Sequence, residues 1–213
     1  MKLNKVKYFT TISRLKNNPF YNPAHQGDLQ SAHQLVNQLN LNLSSLKNSF
    51  CYVCPVIKQT GNKIPLAFAS KICSVTNLKI CDTIILTNNC SGNSMMQRIF
   101  YEPNFTGQVP TGNYILVDDV ITTGNTLKHL KTYIESAGSQ VNAIYTLAAS
   151  RSGGLFEPSK LQYQIYASPF HQFSAYFNLP ELTLAQLIYL NRFKSISAYL
   201  DKLSLTLTSA GYF

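Results

Sequence analysis

Residues 114–127 read YILVDDVITTGNTL. An unbroken apolar run, Tyr114 to Val117, leads straight into two carboxylates, Asp118 and Asp119. A turn follows that carries Thr122, Thr123, Gly124 and Thr126. The chain has 213 residues and only 9 Asp plus Glu, so two adjacent acids closing its most apolar strand need a reason. A run with no polar alternation is what a strand buried on both faces requires, and such strands belong to parallel sheets covered by helices. The strand is read as residues 113–118, with a helix from Thr123 to Ala137 after the turn.

The same alternation extends outward. Residues 28–47 carry Leu29, Leu35, Val36, Leu39 and Leu43 at helical spacing. Phe50 to Val56 reads as a buried strand, and Ile57 to Lys63 as a loop. Ile64 opens a helix whose first turn takes Pro65. Asp82 to Thr87 is a further strand, Asn88 to Gly112 a long polar connection, and Gln140 to Ala149 another strand. Leu161 to Ala167 alternates like an edge strand, and an amphipathic helix or helix pair covers about Leu182 to Leu203. Strands alternating with helices imply an α/β fold with a mainly parallel central sheet flanked by helices. One domain spans residues 1–213, with a core of about 48–150 and additions on either side.

In such sheets ligands sit at the carboxyl ends of the strands, which is where Asp118, Asp119 and the turn fall. Gly124 permits a tight turn, and the amides of residues 122–126 point toward one concavity at a helix N-terminus. That arrangement suits a phosphate, with the threonine hydroxyls as extra donors. The two carboxylates repel the same phosphate. They suit ribose hydroxyls, which donate hydrogen bonds, and a divalent cation. One loop thus offers a sugar end and a phosphate end, which together describe a ribose 5-phosphate.

The string from Val117 to Leu127 resembles the phosphoribosyl diphosphate (PRPP) signature of the type I phosphoribosyltransferases: an apolar strand, two acids, then TTGxT. The stretch from Pro55 to Arg151 further resembles a poorly characterised branch near the ComF-like proteins, in GNKIP, RIFYEPNFTGQV and YIESAG. The resemblance implies a PRPP-dependent transfer of a ribose 5-phosphate group to a nitrogenous acceptor, with release of pyrophosphate and with Mg²⁺ as cofactor. It implies Asp118 and Asp119 on the ribose hydroxyls and on Mg²⁺, Thr122, Thr123, Gly124, Asn125 and Thr126 around the 5-phosphate, and Val120 and Ile121 as further substrate-binding residues. Lys58, Gln59, Thr60 and Gly61 fall where that family holds pyrophosphate. Asn88 to Gly112 falls at its closing loop, with Arg98 as the catalytic cation and Tyr101 beside it. Arg98 is the one cation between Lys79 and Lys128, a departure from strongly basic lids that keeps a second reading open: a non-catalytic protein that binds PRPP or a nucleotide for regulation.

Thr122 stands where 6-oxopurine enzymes of that family usually carry an aspartate for the base, which argues against hypoxanthine or guanine. The family's acceptor hood would come from Phe20, Tyr21 and His25 together with Tyr166 to Phe177. Phe170, Phe173, Tyr176 and Phe177 read first as packing for the C-terminal helix against the sheet, and His171 as a surface or satisfied histidine.

Bulk composition bounds the rest. Lys plus Arg number 18, for a net charge of +9, which favours polyanionic partners or simply a basic surface. No zinc finger, dense basic run or GxxxxGK[ST] loop is present, so a nucleic-acid binder or P-loop ATPase is not expected. The five cysteines (51, 54, 73, 81 and 90) read as reduced core thiols, and the start of the chain lacks a long apolar run. The expectation is a cytoplasmic protein of nucleotide metabolism, with no membrane contact and a homodimer as one permitted assembly.

Overall fold

A computed structural model describes residues 6–43, 46, 51–59, 61–88, 101–150, 158, 160–167, 179–193, 198 and 201. Tyr114 to Ile121 of the motif stretch lie in β7 (Asn113–Ile121). It pairs in parallel with β8 (Gln140–Ala149) on one side and with β2 (Cys51–Pro55) on the other. β1 (Lys7–Thr10) lies outside β8, and β4 (Lys79–Ile80) outside β2, so five parallel strands run in the order β1-β8-β7-β2-β4. A smaller sheet holds β3 (Ile57–Lys58), β5 (Ile85–Leu86) and β6 (Phe105–Thr106), with only the β5–β6 pair antiparallel. This is the α/β architecture with a mainly parallel central sheet that the strand-helix alternation predicts.

Helices cover both faces. One face carries α1 (Ile12–Lys16), α2 (Tyr21–Gln26), α3 (Leu29–Asn37) and α4 (Ile64–Thr76). Their Leu15, Ala24, Leu35, Phe68 and Ile72 join Val53, Ile115 and Val117 in one apolar cluster. On the other face α5 (Asn125–Ser136) sets Leu127, Leu130 and Ile134 against Cys54, Tyr114, Leu116 and Ile144. Fully burying one such leucine is worth about 1.5–3 kcal/mol, so both faces hold β7 in place. β7 thus fixes the height of Asp118 and Asp119 from two sides.

Local chemistry explains the element ends. Asp28 caps α3 by accepting the Gln30 amide at 2.9 Å, and α4 carries Pro65 in its first turn and stops at Asn77, whose φ of 59° ends the helix. The remaining helices are α6 (Lys160–Ala167) and α7 (Leu184–Leu190). Thr183 and Gln186 form a reciprocal capping box at the start of α7.

Several expectations are corrected. The motif strand does not stop at residue 118; it runs to Ile121, because the longer β8 keeps pairing with it as far as Ala149. The edge position predicted for Leu161 to Ala167 is taken by β1, and Lys160–Ala167 forms a helix. The strand expected at 82–87 shrinks to Ile85–Leu86 and joins the small sheet, while Lys79–Ile80 takes the place beside β2. The loop of 57–63 contributes β3, the connection of 88–112 contributes β6, and the helix expected over 28–47 closes at Asn37. At the C-terminal end, Leu184–Leu190 forms a helix and the described residues 198 and 201 are also helical, as the helix or helix pair expected over about Leu182 to Leu203 requires.

Candidate functional site

Asp118 and Asp119 lie in the carboxyl-terminal half of β7, and the chain then turns through Thr122 and Thr123 into α5. Gly124 takes φ 78°, a left-handed conformation that a residue with a Cβ adopts at a cost. No side chain caps α5 through the residue before it, and its first turn holds no acidic residue. The leading amides of a twelve-residue helix and the positive end of its dipole are therefore directed at the space beside the turn.

That space is a cavity of about 200 Å³. Lys58, Asp118, Asp119, Val120, Thr122, Thr123, Asn125 and Thr126 all line it, so most of the residues chosen from sequence converge. Gln59, Gly61, Ile121 and Gly124 do not line it. Gln59 is exposed, Ile121 is core, Gly124 shapes the turn, and Gly61 (φ 82°) turns its loop beneath α2. The loop is tied there by the Lys63 amide, which donates to the Ala24 carbonyl at 3.0 Å. Thr60 and Arg98 lie outside the described residues, as do Cys90 and the acceptor candidates Phe170, His171, Phe173, Tyr176 and Phe177.

Within the turn the roles divide. Thr122 and Thr126 are half-buried and face the cavity, while Thr123 and Asn125 are buried and anchored elsewhere. The Thr183 hydroxyl donates to the Thr123 carbonyl, and the Asn125 side-chain amide nitrogen donates to the Tyr101 carbonyl. The Ser150 hydroxyl donates to the Thr122 carbonyl at 3.0 Å. Tyr101 in turn donates to the Asn88 carbonyl at 2.8 Å. The base of the long connection is thereby fastened to the start of α5.

Asp119 is only 7% exposed. Asp118 accepts the Asp119 amide through Oδ1 at 2.9 Å, and Asp119 accepts the Val120 amide through Oδ1 at 2.8 Å. Burial and then the neighbouring Asp119 charge push the Asp118 carboxyl well above the usual carboxylate range, with the Lys58 ammonium pulling the other way. Tyr21 of α2 faces the same pair. Burial first, then the charges of Asp119 and Asp118, raise its phenol above the ordinary tyrosine value. Tyr21 stacks on His25 with ring centroids 5.6 Å apart, and both line the cavity with Lys16. Lys16 was not singled out from sequence. Nothing local marks it; the α1–α2 fold brings it there.

Among the described residues no three His, Cys, Asp or Glu side chains gather to hold a metal by themselves. The donor set suits a cation that shares its shell with substrate. Two adjacent carboxyls, each with one oxygen used by a backbone amide, leave room for phosphate and water oxygens, as Mg²⁺ commonly requires.

The cysteine reading holds for the described thiols: Cys54 and Cys81 are buried and Cys73 half-buried, all free. Hydrogen bonding from Cys54, then from Thr83 and Tyr114, lowers the Cys81 thiol to about 6 against the opposing effect of burial. No helix among the described residues is long and apolar enough to cross a membrane.

No family model matches the chain. It is 31% identical over 150 residues to Protein TraN of Escherichia coli, a match covering 65% of this chain and 34% of that one. The chain thus spans about a third of the length of this curated relative, which is not one of the ComF-like proteins. Among solved structures, it overlaps orotate phosphoribosyltransferase from Aeropyrum pernix with TM-score 0.36 at 20% identity, covering 61% of this chain and 66% of the other. Adenine phosphoribosyltransferase from Saccharomyces cerevisiae overlaps with TM-score 0.36 at 14% identity over 64% and 72%. A hypoxanthine phosphoribosyltransferase from Staphylococcus aureus overlaps with TM-score 0.38 at 18% identity over 63% and 70%.

Proposed function

We propose that this chain binds PRPP and transfers its ribose 5-phosphate group to a nitrogenous acceptor, releasing pyrophosphate. The observation that carries the reading is the meeting, in one cavity, of an acidic pair on a buried strand with a threonine-lined helix N-terminus that has no acidic residue in its first turn. The 5-phosphate lies against the leading amides of α5 and the hydroxyls of Thr122 and Thr126. Asp118 and Asp119 accept hydrogen bonds from the ribose hydroxyls. Lys58 and Lys16, which line the same cavity, face the diphosphate.

In the transfer, the bond from C1 to the pyrophosphate oxygen breaks as the acceptor nitrogen bonds to C1, and the nitrogen then loses its proton. Positive charge develops on the ribose ring, and the two carboxyls held beneath it favour that charge electrostatically. Asp118 and Asp119, with diphosphate oxygens, would hold Mg²⁺, which when bound neutralises the leaving group. Tyr21 and His25 form the wall on which a planar acceptor would stack. Thr122 offers a neutral hydroxyl to the site, which disfavours a 6-oxopurine acceptor.

Calorimetry with PRPP, with and without Mg²⁺, tests the binding half of this reading. Pyrophosphate release across a panel of bases tests the transfer half. Mg²⁺-dependent binding with release for at least one base supports the transferase. Binding with no release for any base favours the regulatory reading, and no binding removes both.

A further inference from the structure

Among the described residues, one buried side-chain oxygen lacks a hydrogen-bond partner: Oγ1 of Thr146, on β8, in a residue that is 0% exposed. A buried hydroxyl left unpaired costs about 1–3 kcal/mol, and valine has the same shape without that cost. The neighbours of Thr146 along β8 are apolar, so the strand itself does not call for a hydroxyl.

The sheet register shows what the hydroxyl stands beside. Leu116 pairs with Ile144, Val117 with Tyr145, and Asp118 with Thr146. Leu116 and Ile144 belong to the cluster on the α5 face, whereas Val117 and Tyr145 belong to the opposite one. Asp118 and Thr146 continue the Leu116–Ile144 face and are cross-strand neighbours on it. On the other flank of β7 the pairing with β2 ends at Val117. Asp118 therefore has a paired strand neighbour on one side, and it is Thr146.

We propose that Thr146 is a positioning residue for Asp118, holding that carboxyl in the orientation that accepts a ribose hydroxyl. A hydroxyl rotates freely and both donates and accepts, so it meets the carboxyl oxygen when ligand draws Asp118 into place. In the empty protein its cost is carried by the fold, as at other functional sites. The inference rests on the ribose 5-phosphate reading above.

Ribose 5-phosphate, without metal, is the probe, measured by calorimetry alongside thermal melting for the native chain, Thr146→Val, Thr146→Ser and Asp118→Asn. Thr146→Val should melt at or above the native temperature yet bind about tenfold more weakly, the scale of one hydrogen bond. Thr146→Ser should keep binding within about twofold. Binding by Thr146→Val equal to native overturns the inference, as does weaker binding accompanied by a lowered melting temperature, which would mark a structural threonine. If Asp118→Asn loses binding while Thr146→Val keeps it, this inference alone falls. If Asp118→Asn binds as native does, the ribose reading falls and takes this inference with it.

Discussion

At the residue scale, Asp118 carries a conflict between stability and use. Burial and the Asp119 charge favour its protonated form in the folded chain. An acid whose folded pKa is raised makes the folded state the better proton binder. Stability is then greatest below the usual carboxylate range and declines as pH rises from that range toward the raised value. Asp118→Asn cannot lose a proton, so it should flatten this decline and stabilise the empty protein at neutral pH by about 1 kcal/mol, a typical gain when a functional site is relaxed. Thermal melts across pH check this; a variant that melts below the native chain at neutral pH contradicts it. The acids and threonines were legible in sequence because adjacent carboxylates after an apolar run are chemically conspicuous. Lys16 and Thr146 were not, because a lysine in a basic segment and a threonine in a strand are ordinary until tertiary pairing places them.

At the element scale, the turn between β7 and α5 depends on Gly124 holding φ 78°. Gly124→Ala places a Cβ in the left-handed region and should cost about 1–2 kcal/mol. It should weaken phosphate binding as well, since the α5 amides would shift. Denaturant melts and phosphate titration measure the two effects, and a variant unchanged in both would show that the turn does not define the site. The strand–turn–helix order was readable because YILV has no helical period and Gly124 permits the turn. The length of β7 was not, since the last three residues are strand only because β8 pairs with them. The Leu161–Ala167 helix was misread for the converse reason. Its alternation fits a strand, but the sheet edge beside β8 is filled by β1.

At the scale of the whole molecule, the N-terminal segment belongs to the body of the fold. β1 closes one sheet edge, Leu15, Tyr21 and Ala24 enter the core, and Lys16, Tyr21 and His25 line the cavity. A domain core beginning near residue 48 would leave that apolar surface open. Removing residues 1–27 should therefore abolish cooperative unfolding, because several buried side chains at about 1.5–3 kcal/mol each rival a typical total stability of about 5–15 kcal/mol. Circular dichroism of the shortened chain checks this, and a sharp native-like melt would show the core to be independent. Composition alone could not reveal the arrangement, since the segment is basic and turn-rich, without a long apolar run.

The central claim joins the scales: the acids hold a sugar whose phosphate rests on α5. Its most direct test is PRPP calorimetry, in the presence of Mg²⁺, on the native chain and on the combined Asp118→Asn and Asp119→Asn variant. The account predicts binding by the native chain and at least a hundredfold loss in the variant, as expected when two ligand-facing charges, each worth about 1.5–3 kcal/mol, are removed. Binding by the variant at the native strength would contradict it.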